Sequence, residues 1–318
     1  MTSTEIDAPR NQGKIRSALA AIFRLSPRYS ILSAFGIILG QTAIYLVLFI
    51  IRIIANALGE GIAMISGSDQ VVLVFWEIAK FMSYTLSVAV AMQIFVEGSL
   101  VDLGLKWDRQ ARLDWLAGFA ISFLLVGIYF LVRLVAGEIR ITGAAWQVAP
   151  PGFVIGNLII TFLIFAFVGW SEELLSRGFY LQVLSERLNP FWGVVISSAI
   201  FTYLHRFNTG FGIPYIIFLF AGGLFFAYAV RKTGQLWLAM GLHAGWDYFI
   251  VVIFIGEPIN NLRIFRLLGL QEYHFSGLLD LAGILLLLLL GAALIRAYAR
   301  RRAPAPPLPL SHSPSRFT

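Results

Sequence analysis

The sequence predicts an all-α fold, a polytopic membrane bundle of about eight transmembrane helices with an internal polar catalytic cavity. Three observations support the membrane assignment. The 318-residue chain is 58% hydrophobic and 13% charged, its mean hydropathy is +0.80, and uncharged runs recur along it. A soluble domain is about half apolar and about a quarter charged. The absence of cysteine excludes disulfides and thiolate metal sites.

Eight segments are apolar enough to cross a bilayer, which takes about twenty residues. We predict that the fourth continues as a helix to about Leu188, because Asn189-Pro190 is its first clear stop signal. The fifth is short, so it is expected to be tilted or partly buried, and a count of seven stays open. The predicted spans are approximately 30–52, 71–96, 115–136, 152–172, 192–208, 213–231, 236–256 and 278–298.

Two polar tails flank this transmembrane domain, which we place at residues 30–298. The N-terminal tail, 1–29, alternates basic and apolar residues and is interpreted either as an interfacial amphipathic helix or as a solvated leader. The C-terminal tail, 299–318, is rich in proline and serine and is expected to be disordered and cytoplasmic.

The basic residues predict the orientation of the bundle. With eight spans and both termini in the cytoplasm, 17 Lys and Arg fall on the inner side and 6 on the outer side. The positive-inside rule therefore favours cytoplasmic termini. The net charge of +7 does not indicate nucleic-acid binding, because the basic residues are scattered between apolar runs. The expected environment is the lipid bilayer.

Ionisable side chains inside spans are costly, about 2.5–3.5 kcal/mol each on insertion scales, so they mark candidate sites. Glu77 and Lys80 are three apart and are interpreted as a structural ion pair, with a functional pair as the less favoured alternative. Glu173 and Arg177 are four apart and can pair in the same way. That pairing leaves Glu172 without a cation on its own helix. Glu172 is therefore a candidate general base, with a solvated surface carboxylate as the equal alternative.

Two histidines also lie inside predicted spans. His205, alone in an aromatic helix, is more typical of a satisfied core histidine. His243 and Asp247 are four apart on one helical face, where the carboxylate can orient the imidazole. Small residues at Gly241, Ala244 and Gly245 would let a neighbouring helix approach closely.

Together these groups allow two chemistries. Glu172, His205, His243 and Asp247 are candidate ligands of a metal such as zinc, which uses about three such ligands and a water in catalytic sites. The same residues could instead activate water without a metal. The HExxH zinc motif, the ExxH di-iron spacing and the Gly-x-Ser-x-Gly turn are all absent, and no organic cofactor is expected.

The motifs, in order, resemble those of the CPBP intramembrane proteases, the group of type II CAAX prenyl proteases and bacteriocin-processing enzymes. The matching patterns are Glu-Glu-x-x-x-Arg (Glu172, Glu173, Arg177), Phe-x-x-x-His (Phe201, His205) and His-x-x-x-Asp (His243, Asp247). The resemblance covers about residues 100–256. It implies an endopeptidase that cleaves a membrane-associated or lipidated peptide or protein, in a bacterial plasma membrane.

The resemblance also implies roles for these residues. Glu172 would activate water, His205 would assist it, and His243 with Asp247 would stabilise the oxyanion. Glu173 and Arg177 would hold the helix end, and Phe201 belongs to the same pattern. The predicted spans do not place these residues at the same depth in the membrane, however. Counting about 1.5 Å per residue places Glu172 near the cytoplasmic surface, His243 about 10 Å below it and His205 about 20 Å below it.

Two other functions remain open at this point. The bundle could be a non-catalytic scaffold or a bacteriocin self-immunity protein, with the polar cluster joining helices. It could also be a proton-coupled transporter, although neither broken helices nor an internal repeat is clear in the sequence. The sequence does not identify the substrate or show whether it is prenylated.

Overall fold

The computed structural model describes residues 31–66, 70–208, 212–255, 264–268 and 278–302. The predicted interfacial helix in residues 1–29 lies outside these ranges, as does the C-terminal tail from residue 303 onward. The last helix ends at Arg301, three residues beyond the predicted span.

The described residues form a helix bundle in the predicted order. Its α-helices are α1 (Ile31–Ser66), α2 (Gln70–Ala91), α3 (Arg109–Val135), α4 (Pro151–Glu173), α5 (Leu181–Arg187), α6 (Pro190–Leu204), α7 (Ile213–Thr233), α8 (Trp237–Ile250) and α9 (Leu278–Arg301). Wider π-helical turns follow three of them, at Met92–Val96, Leu174–Tyr180 and Val251–Ile255.

Seven helical segments among the described residues are long and apolar enough to cross a membrane. The prediction of a polytopic all-α membrane protein is therefore confirmed. The fifth predicted span, 192–208, corresponds to α6, whose 15 residues make it shorter than these seven segments. Helix α1 has 36 residues and extends well past the predicted end near residue 52.

A small antiparallel sheet in the loops was not predicted. Strand β1 (Arg140–Ala144) pairs with β2 (Phe265–Leu268), with Arg140 opposite Leu268 and Ala144 opposite Phe265. The strands are short and come from segments 120 residues apart, so no local alternation along the chain indicated the pairing.

The helical segment that contains the fourth predicted span is much longer than a bilayer requires. Helix α4 passes through the π-turn into α5 without leaving helical geometry, so that one apolar segment runs from Pro151 to Arg187. It ends where the stop signal predicts. Asn189 then caps α6 by accepting a hydrogen bond from the Trp192 amide at 3.0 Å, and Pro190 occupies the first helical position.

Helix α3 begins at a conventional cap outside the membrane-spanning segment. The carboxylate of Asp108 accepts a hydrogen bond from the Ala111 amide at 2.9 Å. This bond favours the ionised carboxylate and lowers the pKa of Asp108.

Helix α8 lies at the centre of the bundle and packs closely on α3. A Cβ on Gly241 would lie 2.0 Å from the Trp115 carbonyl oxygen, so only glycine permits this approach. The Ser122 hydroxyl donates to the Leu242 carbonyl at 2.6 Å across the same contact. The small residues around His243 therefore allow the close helix approach that their sequence predicts.

The ends of α3 and α9 are joined by a buried ion pair. Arg302 Nη2 lies 2.7 Å from Asp114 Oδ2, and the Tyr298 hydroxyl donates to Asp114 Oδ1 at 2.7 Å. Arg302 Nη1 also donates to the Thr233 carbonyl at the end of α7. These contacts tie three helices together at one end of the bundle.

Candidate active site

Glu172 lies at the end of α4, with its two carboxylate oxygens facing different partners. Oε2 is 3.5 Å from His205 Nε2 and 3.8 Å from His243 Nε2. Oε1 is 3.5 Å from Lys80 Nζ. The structure thus brings α2, α4, α6 and α8 together around one carboxylate, which is partly accessible, with 21% of its side chain exposed.

Glu173 and Arg177 form the neighbouring pair, on the buried side of the same helix. Arg177 Nη1 donates to Glu173 Oε1 at 2.8 Å, as the spacing of four residues predicts, and both side chains have 0% exposure. Arg177 Nη2 also donates to the Gly223 carbonyl at 3.2 Å on α7. The pair therefore attaches α4 to α7 in the interior of the bundle.

Glu173 has a second partner that the sequence analysis missed. Nδ1 of His243 donates to Glu173 Oε1 at 2.7 Å. This bond fixes the orientation of the imidazole ring and directs Nε2 toward Glu172. The sequence assigned Glu173 only to the end of its helix, but Glu173 also orients His243, which is 70 residues away in the chain.

Asp247 faces His243 along α8. Its Oδ2 lies 3.4 Å from His243 Nε2, in agreement with the spacing of four. The Asp247 side chain is 31% exposed, the most accessible of the acidic groups here. His243 thus has a carboxylate on each side of its ring, a buried one at Nδ1 and a more exposed one at Nε2.

His205 is the residue that ends α6. Nδ1 of His205 donates to the Phe201 carbonyl at 2.8 Å, because a carbonyl oxygen can only accept. In the neutral ring this leaves Nε2 unprotonated and facing Glu172.

Phe201 and Phe226 pack around the ionic groups. The guanidinium carbon of Arg177 lies 4.2 Å from the Phe201 ring centroid and 5.1 Å from that of Phe226. The Phe226 ring also stacks on His243 at 4.9 Å with an interplanar angle of 6°. These rings fill the space around the charges and restrict the rotation of both side chains.

The long fourth helix and the turn after it explain how Glu172 and His205 meet, although the predicted spans placed them at different depths. Glu172 lies 15 residues before Arg187, and His205 lies 15 residues after Pro190. Because these two segments are joined by a tight turn, both residues lie about 22 Å from that turn at about 1.5 Å per residue. The two residues therefore lie at a similar level in the bundle, as the 3.5 Å between Glu172 Oε2 and His205 Nε2 requires.

Lys80 is a second contact that sequence reasoning missed. Its ammonium group lies 3.4 Å from Glu77 Oε2, as predicted for a local pair, but also 3.5 Å from Glu172 Oε1. Lys80 thus contacts both its local partner and the candidate base. The one available signal was the cost of placing a lysine in the second span.

A cavity of about 290 Å³ opens beside these groups. Glu172, His205, His243 and Asp247 line part of it, and the rest of its wall is mainly aromatic and aliphatic. The lining residues outside the ionic group are Phe201, Asn208, Tyr215, Phe218, Leu219, Gly222, Phe225, Phe226, Trp246 and Leu288.

The chemistry and the orientation of the two histidines suit metal ligands. Each imidazole donates Nδ1–H to a fixed acceptor and turns Nε2 toward Glu172, the orientation that metal-bound histidines adopt. Within the described ranges, however, no group of three or more His, Asp and Glu side chains is placed to hold a metal ion.

The fold and the site define a polytopic membrane protein that gathers carboxylates and imidazoles beside a cavity. Comparison with known proteins is more specific. The family described as "Type II CAAX prenyl endopeptidase Rce1-like" matches residues 154–249, which contain all three motifs. This match supports the resemblance to the type II CAAX prenyl proteases that the motifs predict.

One curated relative agrees with this assignment. A Bacillus subtilis protein named "Putative membrane peptidase YdiL" is 24% identical over 193 residues, covering 58% of this chain and 73% of the relative. No solved structure matches the chain. Taken together, these findings support a membrane protease. Lys80 lies outside the segment that the family matches.

Proposed function

We propose that this protein is an intramembrane endopeptidase that hydrolyses a peptide bond in a membrane-anchored peptide or protein, with Glu172 as the base that activates water. The observation that carries the proposal is the position of Glu172 Oε2, which faces both imidazole Nε2 atoms at 3.5 and 3.8 Å beside a cavity. These separations are at or beyond the limit of a direct hydrogen bond and suit groups that share a water molecule.

In this mechanism the two oxygens of Glu172 have separate tasks. Lys80 holds Oε1, which leaves Oε2 to take a proton from water. The resulting hydroxide attacks the carbonyl carbon of the scissile bond and forms a tetrahedral intermediate. When the C–N bond breaks, the protonated Glu172 returns its proton to the departing amine, so that one water is consumed and two products leave.

The histidines support the charge that develops on the carbonyl oxygen. Four carboxylates (Glu77, Glu172, Glu173 and Asp247) surround two permanent cations, Lys80 and Arg177. Doubly protonated imidazoles bring this cluster toward neutrality and supply Nε2–H donors for the oxyanion. Asp247 lies beside Nε2 of His243, and Glu173 keeps the ring in place.

Zinc stays a prediction. If a metal is bound, Glu172, His205, His243 and Asp247 are the residues available to hold it, and it would polarise the water and the carbonyl group. The steps above use only the side chains of the protein. The substrate sequence, its lipidation, and a bacterial plasma membrane with cytoplasmic termini likewise remain part of the proposal.

The test uses the full chain in proteoliposomes with membrane-anchored reporter peptides, with and without a lipid group. Glu172→Gln, His205→Ala and His243→Ala should each lower cleavage at least about 100-fold, in line with the loss of a general base or an oxyanion donor. Glu60→Gln, an exposed carboxylate on α1, is the matched control and should retain activity.

Full activity in any of the three variants would contradict the assignment. The scaffold or immunity alternative would be favoured if the wild type hydrolyses no peptide and the variants lose stability or partner binding. Proton-driven uptake in sealed vesicles would favour a transporter. Metal analysis of the wild type and the histidine variants, together with a chelator, decides the zinc prediction.

A further inference from the structure

One face of α7 forms a continuous wall of the cavity. Its lining residues follow the three- and four-residue spacing of a single helical face. They are Tyr215, Phe218, Leu219, Gly222, Phe225 and Phe226. Across from them lie Trp246 on α8 and Leu288 on α9. Apart from the ionic groups already described, this lining carries no charge.

The wall runs from a polar rim to an apolar floor. At the rim, Asn208 Nδ2 donates to the Tyr215 hydroxyl at 3.1 Å. At the floor, Phe225, Phe226 and Leu288 are buried. Tyr215 and Phe226 are 11 residues apart, which corresponds to about 16 Å along the helix. The cavity thus extends along about three turns of α7, and the ionic groups are also part of its wall.

Gly222 marks a gap in this wall. It is buried, yet a Cβ added there would meet no atom within 4 Å. The next residue, Gly223, shows the opposite behaviour, since its Cβ would lie 2.8 Å from Ser198 Cβ. Gly223 is therefore a packing glycine, whereas the space beside Gly222 belongs to the cavity.

We propose that this pocket binds a bulky apolar side chain of the substrate next to the scissile bond, and that Gly222 sets the size of side chain accepted. This inference rests on the proposed function. The aromatic and aliphatic wall gains free energy by covering an apolar group and disfavours an unpaired charge. The volume of about 290 Å³ is at the lower end of small-ligand pockets, which fits one large side chain.

The test measures kcat/KM for membrane-anchored peptides that carry Ala, Leu, Phe or Asp at the positions flanking the cleavage site. Wild type should prefer Leu and Phe over Ala and should disfavour Asp. Gly222→Leu should lower the Phe-to-Ala ratio about 10- to 200-fold, the range over which pocket contacts discriminate between apolar groups. Gly222→Ala should give an intermediate ratio.

Gly156→Leu is the matched control. Gly156 also has no atom within 4 Å of an added Cβ, but it is half-buried on α4 and does not line the cavity. It should leave the Phe-to-Ala ratio unchanged. An unchanged ratio in folded Gly222→Leu, or an equal loss on all peptides in both Gly222 variants, would overturn the proposal.

A binding measurement separates this inference from the proposed function. If wild type cleaves none of the peptides, the proposed function fails. A Phe-containing peptide should still raise the unfolding temperature of the wild type more than that of Gly222→Leu. Equal shifts in the two proteins would overturn the pocket assignment, whatever the catalytic result.

Discussion

Replacing the buried pair of Glu173 and Arg177 one partner at a time provides a sharp test of what holds α4 in place. Arg177→Met would leave the fully buried Glu173 carboxylate without the guanidinium and with only the His243 imidazole beside it. Breaking a buried pair from one side costs about 3–5 kcal/mol, because the remaining charge is uncompensated. Glu173→Gln should cost a similar amount by isolating the guanidinium.

The double variant, Glu173→Gln with Arg177→Met, should be much more stable than the sum of the singles implies. A neutral amide beside a methionine leaves no isolated charge, and neutral replacement of a buried pair is often nearly neutral in stability. The amide oxygen can still accept from His243 Nδ1. We therefore expect a coupling free energy of about 3 kcal/mol or more in a double-mutant cycle, above the usual range for contacting residues.

The assay is reversible unfolding of the purified chain in mixed detergent micelles, followed by tryptophan fluorescence. The control is the exposed pair of Lys106 and Asp108, whose charged groups are 3.6 Å apart. Lys106→Met should cost less than about 1 kcal/mol. Strictly additive effects of the Glu173 and Arg177 substitutions would refute the reasoning, as would a single-variant cost equal to that of the Lys106 control.

Three further predictions concern other contacts. Lys80→Met should lower kcat at least about 10-fold with little change in KM, because Glu172 Oε1 loses the ammonium group that lies 3.5 Å from it. Lys80→Arg should restore part of the rate. Arg302→Met should lower the free energy of unfolding by about 3–5 kcal/mol, because it leaves the buried Asp114 carboxylate unpaired. Gly241→Ala should reduce folded yield in size-exclusion chromatography, because its Cβ would meet a backbone oxygen of α3 at 2.0 Å.

Each of these predictions has a control and an outcome that would contradict it. Wild-type kcat in folded Lys80→Met would show that the lysine does not position Glu172. Arg301→Met, which removes a neighbouring exposed arginine, should change stability little, and an effect equal to that of Arg302→Met would contradict the ion-pair explanation. Gly127→Ala should fold normally, because a Cβ added at Gly127 would meet no atom within 4 Å. If Gly241→Ala also folds normally, α3 and α8 can separate enough to accommodate the methyl group.

The sequence alone determined those features that depend on neighbours along one helix. Long apolar runs indicated the membrane bundle, and Asn189-Pro190 indicated the end of the long fourth helix. A spacing of four predicted the contact between Glu173 and Arg177, since such residues share a helical face. The family motifs lie in the same local segments, so they too were readable without a structure.

Only the tertiary structure decided which helices meet, and at which depth. It brought Lys80 to Glu172, placed Glu173 against His243, and opened the pocket beside Gly222. The apolar face of a membrane helix does not specify its neighbour, because lipid and another helix offer similar apolar surroundings. Register between helices is set by close packing of small residues and by a few buried polar contacts, and these involve residues far apart in the chain.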